Sequence, residues 1–366
     1  MKTPEINTLG PPEPIDYSVV MEPINGDPTG KNLLSMRQLS AEDIHLYIEE
    51  AYAAERFVQD PKQRGVALLS NVEMRVVMRQ PSTRTGGSLT AAMHKLGGSA
   101  VLISGMGSSS EAKGESIEDS WVAFAAQADI LGIRTEEDRG PALAARVIAQ
   151  AFEQDQLWQS VPVINLGDGK NEHPTQALGD EFTIYKQFGQ FAGVEVAMVG
   201  DHERYRAHHS FMIGAAILGM NIIAVESKAA VVPEDLVELL GDRLTRTKDL
   251  DGAMRYANVL YLGRNPDEYT GVKKAEAARS KKLAKDYKGW VVDYQRIQKM
   301  PRDSIVLHPR PRRDELHPSV DIDPRMKDVE QMANMTPIRM AIIARHLGRS
   351  IKEAEIIHKD SEKLTP

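Results

Sequence analysis

The run Gln80-Pro81-Ser82-Thr83-Arg84-Thr85-Gly86-Gly87 places three hydroxyls and a guanidinium side by side, followed by two glycines. Between a strand and a helix, such a run suits a phosphate. The first turn of a helix offers unpaired N–H groups at the positive end of its dipole. Ser82, Thr83 and Thr85 add hydroxyl donors, and Arg84 adds a planar fork that matches phosphate oxygens. The glycines would let the backbone come close to a ligand. The competing reading is an ordinary strand-to-helix turn capped by Ser or Thr.

Three further groups carry chemistry. In the segment 171–177, His173 precedes a helix whose first residue is Pro174, and Gln176 falls in its first turn. A neutral imidazole and an amide suit a polarised carbonyl that bears an NH2; taken alone, they read as a capping histidine and a solvated glutamine. In 200–210, Arg206 opens a helix and suits a carboxylate, or lies on the surface. In 307–315, Pro309 and Pro311 stiffen a loop after a strand and expose backbone carbonyls as acceptors, or simply make a rigid turn. His202, His208 and His209 lack metal-ligand spacing and are expected at the surface, so no metal site is expected. The stretch 26–31 is one residue short of a Walker A loop, and HExxH and GxSxG are absent.

The elements that must position these groups alternate. After Ser40 and Asp43, a capping-box pair, Ile44, Tyr47, Ile48 and Ala51 mark a helix. Strands are expected at 72–79, 100–104, 130–133 and 161–166, with helices at 89–96, 117–124, 141–152 and 174–188 between and after them. The series restarts with strands at 194–199, 221–225, 259–262 and 304–308, and helices at 206–218, 233–240 and from 272. A last helix is expected to begin at Thr336-Pro337 as cap and first turn. Strand-helix alternation means parallel sheets in an α/β fold, and two series mean two domains dividing near 189.

Composition agrees. The 366 residues fit two domains, with 42% hydrophobic and 27% charged residues, near globular averages. A net charge of −7 argues against nucleic acid as a partner. With no cysteine, disulfides, thiolate metal sites and Cys nucleophiles are excluded, and a reduced, cytoplasmic setting is compatible. Residues 1–30, rich in Pro, Gly, Asn and acids, read as an irregular arm and not a signal peptide. The longest near-apolar stretch, 211–225, is too short for a membrane span and reads as a helix end followed by a strand.

Together these residues resemble the aspartate/ornithine carbamoyltransferase family. The resemblance runs from about 33 to 348 and rests on an ordered set: 82–85 (STRT), 91–97 (AAMHKLG), 112–115 (AKGE), 173–177 (HPTQA), 206–210 (RAHHS), 308–312 (HPRPR) and 323–325 (DPR). It implies two doubly wound α/β domains, each a central parallel sheet flanked by helices. The carbamoyl phosphate domain would span 31–188 plus 335–366, with the C-terminal helix returning to it, and the amino-acid domain 189–334. It implies attack of an amine on the carbamoyl carbon of carbamoyl phosphate, with no cofactor, in a homotrimer whose active sites are shared between subunits. No residue pattern speaks to a regulatory subunit.

By position, the resemblance gives the phosphate to Ser82, Thr83, Arg84 and Thr85, joined by Arg134, which with Thr85 and His173 polarises the carbonyl oxygen. Gln176 and the carbonyls of Pro309 and Arg310 take the carbamoyl NH2. Ser109 and Lys113 reach in from a neighbouring subunit, and Arg206 and Arg264 hold the acceptor's carboxylates. Two arginines on that side favour a dicarboxylate such as aspartate, and so pyrimidine synthesis. Three departures stand out. Gly86-Gly87 replaces bulkier residues, which is expected to loosen the helix start. The loop after Arg264 is short. Arg310 would bring a third cation into the site, paired with Asp267 or Glu268, or selecting another amine acceptor. A catalytically silent family member is the remaining alternative.

Overall fold

The computed structural model describes residues 18–60, 65–105, 114–264 and 274–355. Two parallel sheets frame it. The first contains β1 (Glu73–Met78), β2 (Ser99–Ser104), β3 (Ile130–Thr135) and β4 (Val163–Asp168) in the order β2-β1-β3-β4. The second contains β5 (Glu195–Val199), β6 (Asn221–Val225), β7 (Leu244–Thr247), β8 (Val259–Leu262) and β9 (Ile305–Leu307) in the order β7-β6-β5-β8-β9. Strands β4, β8 and β9 are buried at every position, as strands covered on both faces must be.

The helices are α1 (Ala41–Gln59), α2 (Thr83–Lys95), α3 (Ile117–Ala125), α4 (Gly140–Glu153), α5 (Pro174–Phe188), α6 (Arg206–Leu218), α7 (Glu234–Leu240), α8 (Leu250–Tyr256), α9 (Lys274–Gly289), α10 (Tyr294–Ile297) and α11 (Asp328–His346). Ser40 and Asp43 form the capping box that starts α1. Gly189 ends α5 at φ 69°, a left-handed position where a side chain would be strained. In each sheet the first strand is central and the order reverses beside it, between β1 and β3 and between β5 and β8. The crevice beyond the carboxyl ends of strands at such a reversal is where open α/β sheets bind ligands.

Two expectations need correction. Thr336 does not cap the last helix: α11 begins at Asp328 and carries Pro337 inside it. A proline there forfeits one backbone bond. Burial of Met335, Pro337 and Ile338, where α11 packs on α1, α2 and α5, offsets that loss. Strand β7 and helices α8 and α10 have no counterpart in the expected elements. Thr245 and Arg246 of β7 are exposed, and α8 has only seven residues, so neither shows apolar periodicity.

Helix α11 is tied to the N-terminal part of the chain by His346. Its Nδ1 lies 2.8 Å from the Lys31 carbonyl, which can only accept, so Nδ1 donates there and Nε2 accepts from the Tyr47 hydroxyl at 2.8 Å. Burial pushes His346 down to about 4. In the folded chain His346 therefore stays neutral at pH 5, where in the unfolded chain it has already taken up a proton. The stabilisation is present above about pH 6.5 and is lost as pH falls toward 4. His346→Gln should accordingly destabilise the protein more at pH 7 than at pH 5, by about 2 kcal/mol, in urea titrations at the two pH values. An equal effect at both would mean that His346 titrates alike in the folded and unfolded chain.

Candidate active site

The carboxyl ends of both sheets open on one cavity of about 290 Å³. Ten of the residues picked from sequence line it: Ser82, Arg84, Thr85, Arg134, His173, Gln176, Arg206, Arg264, Pro309 and Arg310. Thr83, the first residue of α2, is exposed and stands outside the wall, because the helical turn sends it away from Ser82 and Thr85. Ser109 and Lys113, and likewise Asp267 and Glu268, lie outside the described residues.

The phosphate-type loop folds as its residue types dictate. Ser82 caps α2, its Oγ accepting from the Thr85 N–H at 3.3 Å and lying 3.1 Å from the Thr85 hydroxyl. Gly86 faces the sheet and not the ligand. A Cβ there would stand 3.0 Å from Leu102 Cδ1 and 3.3 Å from Met78 Cε, so its small size lets α2 sit against β1 and β2.

Among the described residues, six arginines line the cavity (Arg84, Arg134, Arg206, Arg264, Arg310 and Arg339) and no acidic residue does. Burial, with Arg264 and Arg310 nearby, lowers the Arg84 guanidinium from its usual value. Arg206 reaches across from the second sheet to the first, donating to the Gly169 carbonyl at 3.1 Å and to Gln80 Oε1. Arg339 was missed from sequence. It is 1% exposed on α11 and donates to Ser88 Oγ and, at 3.4 Å, to the Thr85 carbonyl. Burial pushes it down to about 10 against the pull of Asp180. The available signal was a lone arginine inside the apolar run 335–344.

Arg310 departs from expectation. Its guanidinium pairs with Asp328 at the start of α11, while the expected partners Asp267 and Glu268 lie outside the described residues. Its backbone sits at φ 52°, a left-handed position that needs support from its surroundings. The His308 Nδ1 accepts its N–H at 2.8 Å, and its carbonyl accepts from Arg84 Nη2 at 2.8 Å. The ring's other nitrogen therefore donates to Glu315, 2.8 Å away. Burial would raise Glu315, but His308 and the Arg313 N–H hold it below its usual value.

His173 is neutral. Burial, with Arg134, Arg206 and Arg339 close by, holds it well below its ordinary value. Its backbone N–H donates to Ser210 Oγ at 2.8 Å, and that hydroxyl donates to Glu172 Oε2 at 3.0 Å. Glu172 also accepts from Ser35 and from the Met36 N–H at 2.9 Å. Asp168 fixes the preceding loop, accepting from Asn165, Asn171 and the N–H groups of Arg139 and Glu172.

The histidines expected at the surface are largely inside. His202 and His208 are fully buried: His208 lies on α6, which is covered on nearly all sides, and His202 lies in the turn before α6, packed against the end of β6 at Val225. His202 Nε2 donates to the Val225 carbonyl at 3.1 Å, so its Nδ1 accepts from His208 Nδ1 at 3.0 Å. Burial pushes His202 down to about 4 and His208 well below its usual value. Among the described residues no group of three or more His, Cys, Asp or Glu is placed to hold a metal ion. No helix among them is long and apolar enough to cross a membrane.

Comparison with known proteins agrees with this geometry. A family model described as "Aspartate/ornithine carbamoyltransferase, carbamoyl-P binding domain" matches residues 31–186, and one described as "Aspartate/ornithine carbamoyltransferase, Asp/Orn binding domain" matches 192–345. The aspartate carbamoyltransferase catalytic subunit of Thermococcus gammatolerans is 31% identical over 334 residues, covering 88% of this chain and 99% of its own. Aspartate transcarbamoylase from Trypanosoma cruzi, solved with carbamoyl phosphate and aspartate, superposes with a TM-score of 0.78 at 30% identity, covering 89% of this chain and 99% of that one. The same enzyme solved with N-(phosphonacetyl)-L-aspartic acid gives 0.76 at 30% identity, covering 90% and 99%.

A cavity with this charge should take up inorganic phosphate. At about 100 times its dissociation constant, phosphate should add about 2.7 kcal/mol to folding stability, seen as a raised unfolding midpoint against chloride of equal ionic strength. Arg84→Ala removes a charge-assisted partner worth about 1.5–3 kcal/mol and should weaken that binding roughly tenfold or more. A phosphate-induced shift that survives the substitution would mean that the anion binds elsewhere.

Proposed function

The chain belongs to the aspartate/ornithine carbamoyltransferase family, and on that premise we propose that it transfers the carbamoyl group of carbamoyl phosphate to L-aspartate, a step of pyrimidine synthesis. The observation that carries this is a cavity lined by six arginines and, among the described residues, no acid, where the capped start of α2 meets Arg206 and Arg264 beyond the second sheet. One side offers what a phosphate needs, and the other what two carboxylates need.

In this reading the aspartate amine attacks the carbamoyl carbon. A C–N bond forms, the bond from that carbon to the phosphate oxygen breaks, and phosphate leaves with the proton the amine gives up. Negative charge grows on the carbonyl oxygen and on the leaving oxygen. Thr85, Arg134 and neutral His173 are assigned to the first, and Ser82, Arg84 and Arg134 to the second, with the N–H groups at the start of α2, Thr83 included. Donors already in place stabilise that charge more than the ground state. Gln176 and the carbonyls of Pro309 and Arg310 take the NH2, and Arg206 and Arg264 take the carboxylates, holding the two reactants together.

The pairing of Arg310 with Asp328 supports aspartate over another amine, since that guanidinium is engaged and adds no free cation for a different acceptor. The retained cluster of Ser82, Arg84, Thr85, Arg134 and His173 supports an enzyme over a silent relative. A homotrimer with shared sites belongs to the same reading, with Ser109 and Lys113 supplied by a neighbour. Its support is edge strand β2, which exposes Val101 at 40% and Leu102 at 47% next to that segment. A cytoplasmic location belongs to it too.

The test is product identification from carbamoyl phosphate and a panel of amines. We expect carbamoyl-aspartate, formed by a trimer in light scattering, with kcat falling about 100-fold or more in Arg84→Ala. Product from another amine alone, or full activity in a monomer, would contradict the acceptor and the shared site respectively.

A further inference from the structure

The two sets of groups assigned to the carbamoyl NH2 come from distant parts of the chain, yet both depend on one carboxylate. Asp180, fully buried on α5, receives three donors. Gln176 Nε2 and Gln331 Nε2 reach its Oδ1 at 2.8 and 2.6 Å, and the Tyr261 hydroxyl reaches its Oδ2 at 2.7 Å. Burial raises Asp180 to about 7, but an amide nitrogen can only donate, and Oδ1 accepts from both whether the carboxyl is ionised or carries its proton on Oδ2, so these contacts fix which way each amide faces. Gln176 lies in the cavity wall, and with its NH2 turned to Asp180, Oε1 is the polar atom left for the cavity. Gln331 is left with Oε1, which accepts the His308 N–H at 2.8 Å. His308 in turn holds the Arg310 N–H at 2.8 Å, and with it the loop bearing the Pro309 and Arg310 carbonyls.

We propose that Asp180 is a positioning residue that aims every acceptor for the substrate's NH2, and so makes the site select a carbamoyl over an acyl group. The inference rests on the carbamoyl-transfer reading. It concerns a residue outside the cavity wall, acting through Gln176 and Gln331. If Asp180 is replaced by a side chain without acceptors, Gln176 is free to turn its own NH2 to the cavity, donor against donor. Asparagine is different. Its Oδ1 accepts from both glutamines while its Nδ2 donates to the Tyr261 oxygen, and the hydroxyl turns away. The amide orientations then survive.

The experiment compares binding of carbamoyl phosphate and acetyl phosphate by calorimetry on the full chain. The two share the phosphate and carbonyl and differ in NH2 against CH3, so their affinity ratio reports the NH2 acceptors and not general stability. We expect the wild type to prefer carbamoyl phosphate at least tenfold, since acceptors left unpaired by a methyl are costly. Asp180→Leu should bring the ratio near one, while Asp180→Asn keeps most of it. If Asp180→Leu does not fold, Gln331→Met decides, because it cuts only the branch to His308 and should reduce the ratio part of the way.

A wild-type ratio preserved in Asp180→Leu or in Gln331→Met would overturn the proposal. So would a ratio lost equally in Asp180→Leu and Asp180→Asn, or a wild type that binds both phosphates alike. A wild type that binds neither would instead remove the carbamoyl-transfer reading, and this proposal with it.

Discussion

Six guanidinium groups face one cavity with no opposing carboxylate among the described residues of its wall, and that charge sets the terms for the rest of the molecule. Two unit charges about 6 Å apart repel by about 3 kcal/mol at an effective dielectric of about 20. Three of these cations are visibly anchored from behind. Arg310 leans on Asp328, Arg206 on Gln80 and Gly169, and Arg339 on Ser88 and Thr85, with Asp180 close enough to matter electrostatically. The anchors leave the cavity side cationic. A polyanion entering it relieves the repulsion, so the cost of assembly becomes selectivity for the ligand.

The same constraint explains the seam between the sheets. Neither sheet alone has enough of the cavity, so the halves must be held in register. Ser210 on α6 joins His173 to Glu172, which binds the chain at Ser35 and Met36. Tyr261 on β8 and Gln331 on α11 both meet Asp180 on α5. His209 sits between the carbonyls of Asn171 and His202, at 2.9 and 2.7 Å. These links are polar and largely buried, which makes them directional: a shift of either half breaks hydrogen bonds that no water replaces.

Much of this was legible in the sequence. Parallel strands covered on both faces leave apolar runs, such as 194–199 and 259–262, and the helix at 206–218 falls where its pattern puts it. The residues at 82–85, 173–176 and 206 could be found because each group is local. What escaped was set by distance or by burial. Pro337 reads as a helix start, and only packing keeps α11 continuous through it. Gln331 and Asp180 are 151 positions apart and mean nothing until the fold brings them together. His202 and His208 read as surface residues because nothing local says that α6 is enclosed or that the turn before it packs against β6. Asp328 lies beyond the reach of any local argument about Arg310.

The central claim is that one cavity recognises a phosphate and a dicarboxylate together. The direct measurement is calorimetric titration with N-(phosphonacetyl)-L-aspartate, which joins the two anionic ends in one molecule. We expect one molecule bound per chain, at least about 100-fold tighter than inorganic phosphate, as linking two sites allows. Binding no tighter than phosphate alone would mean that Arg206 and Arg264 do not complete the same site, and would contradict the account.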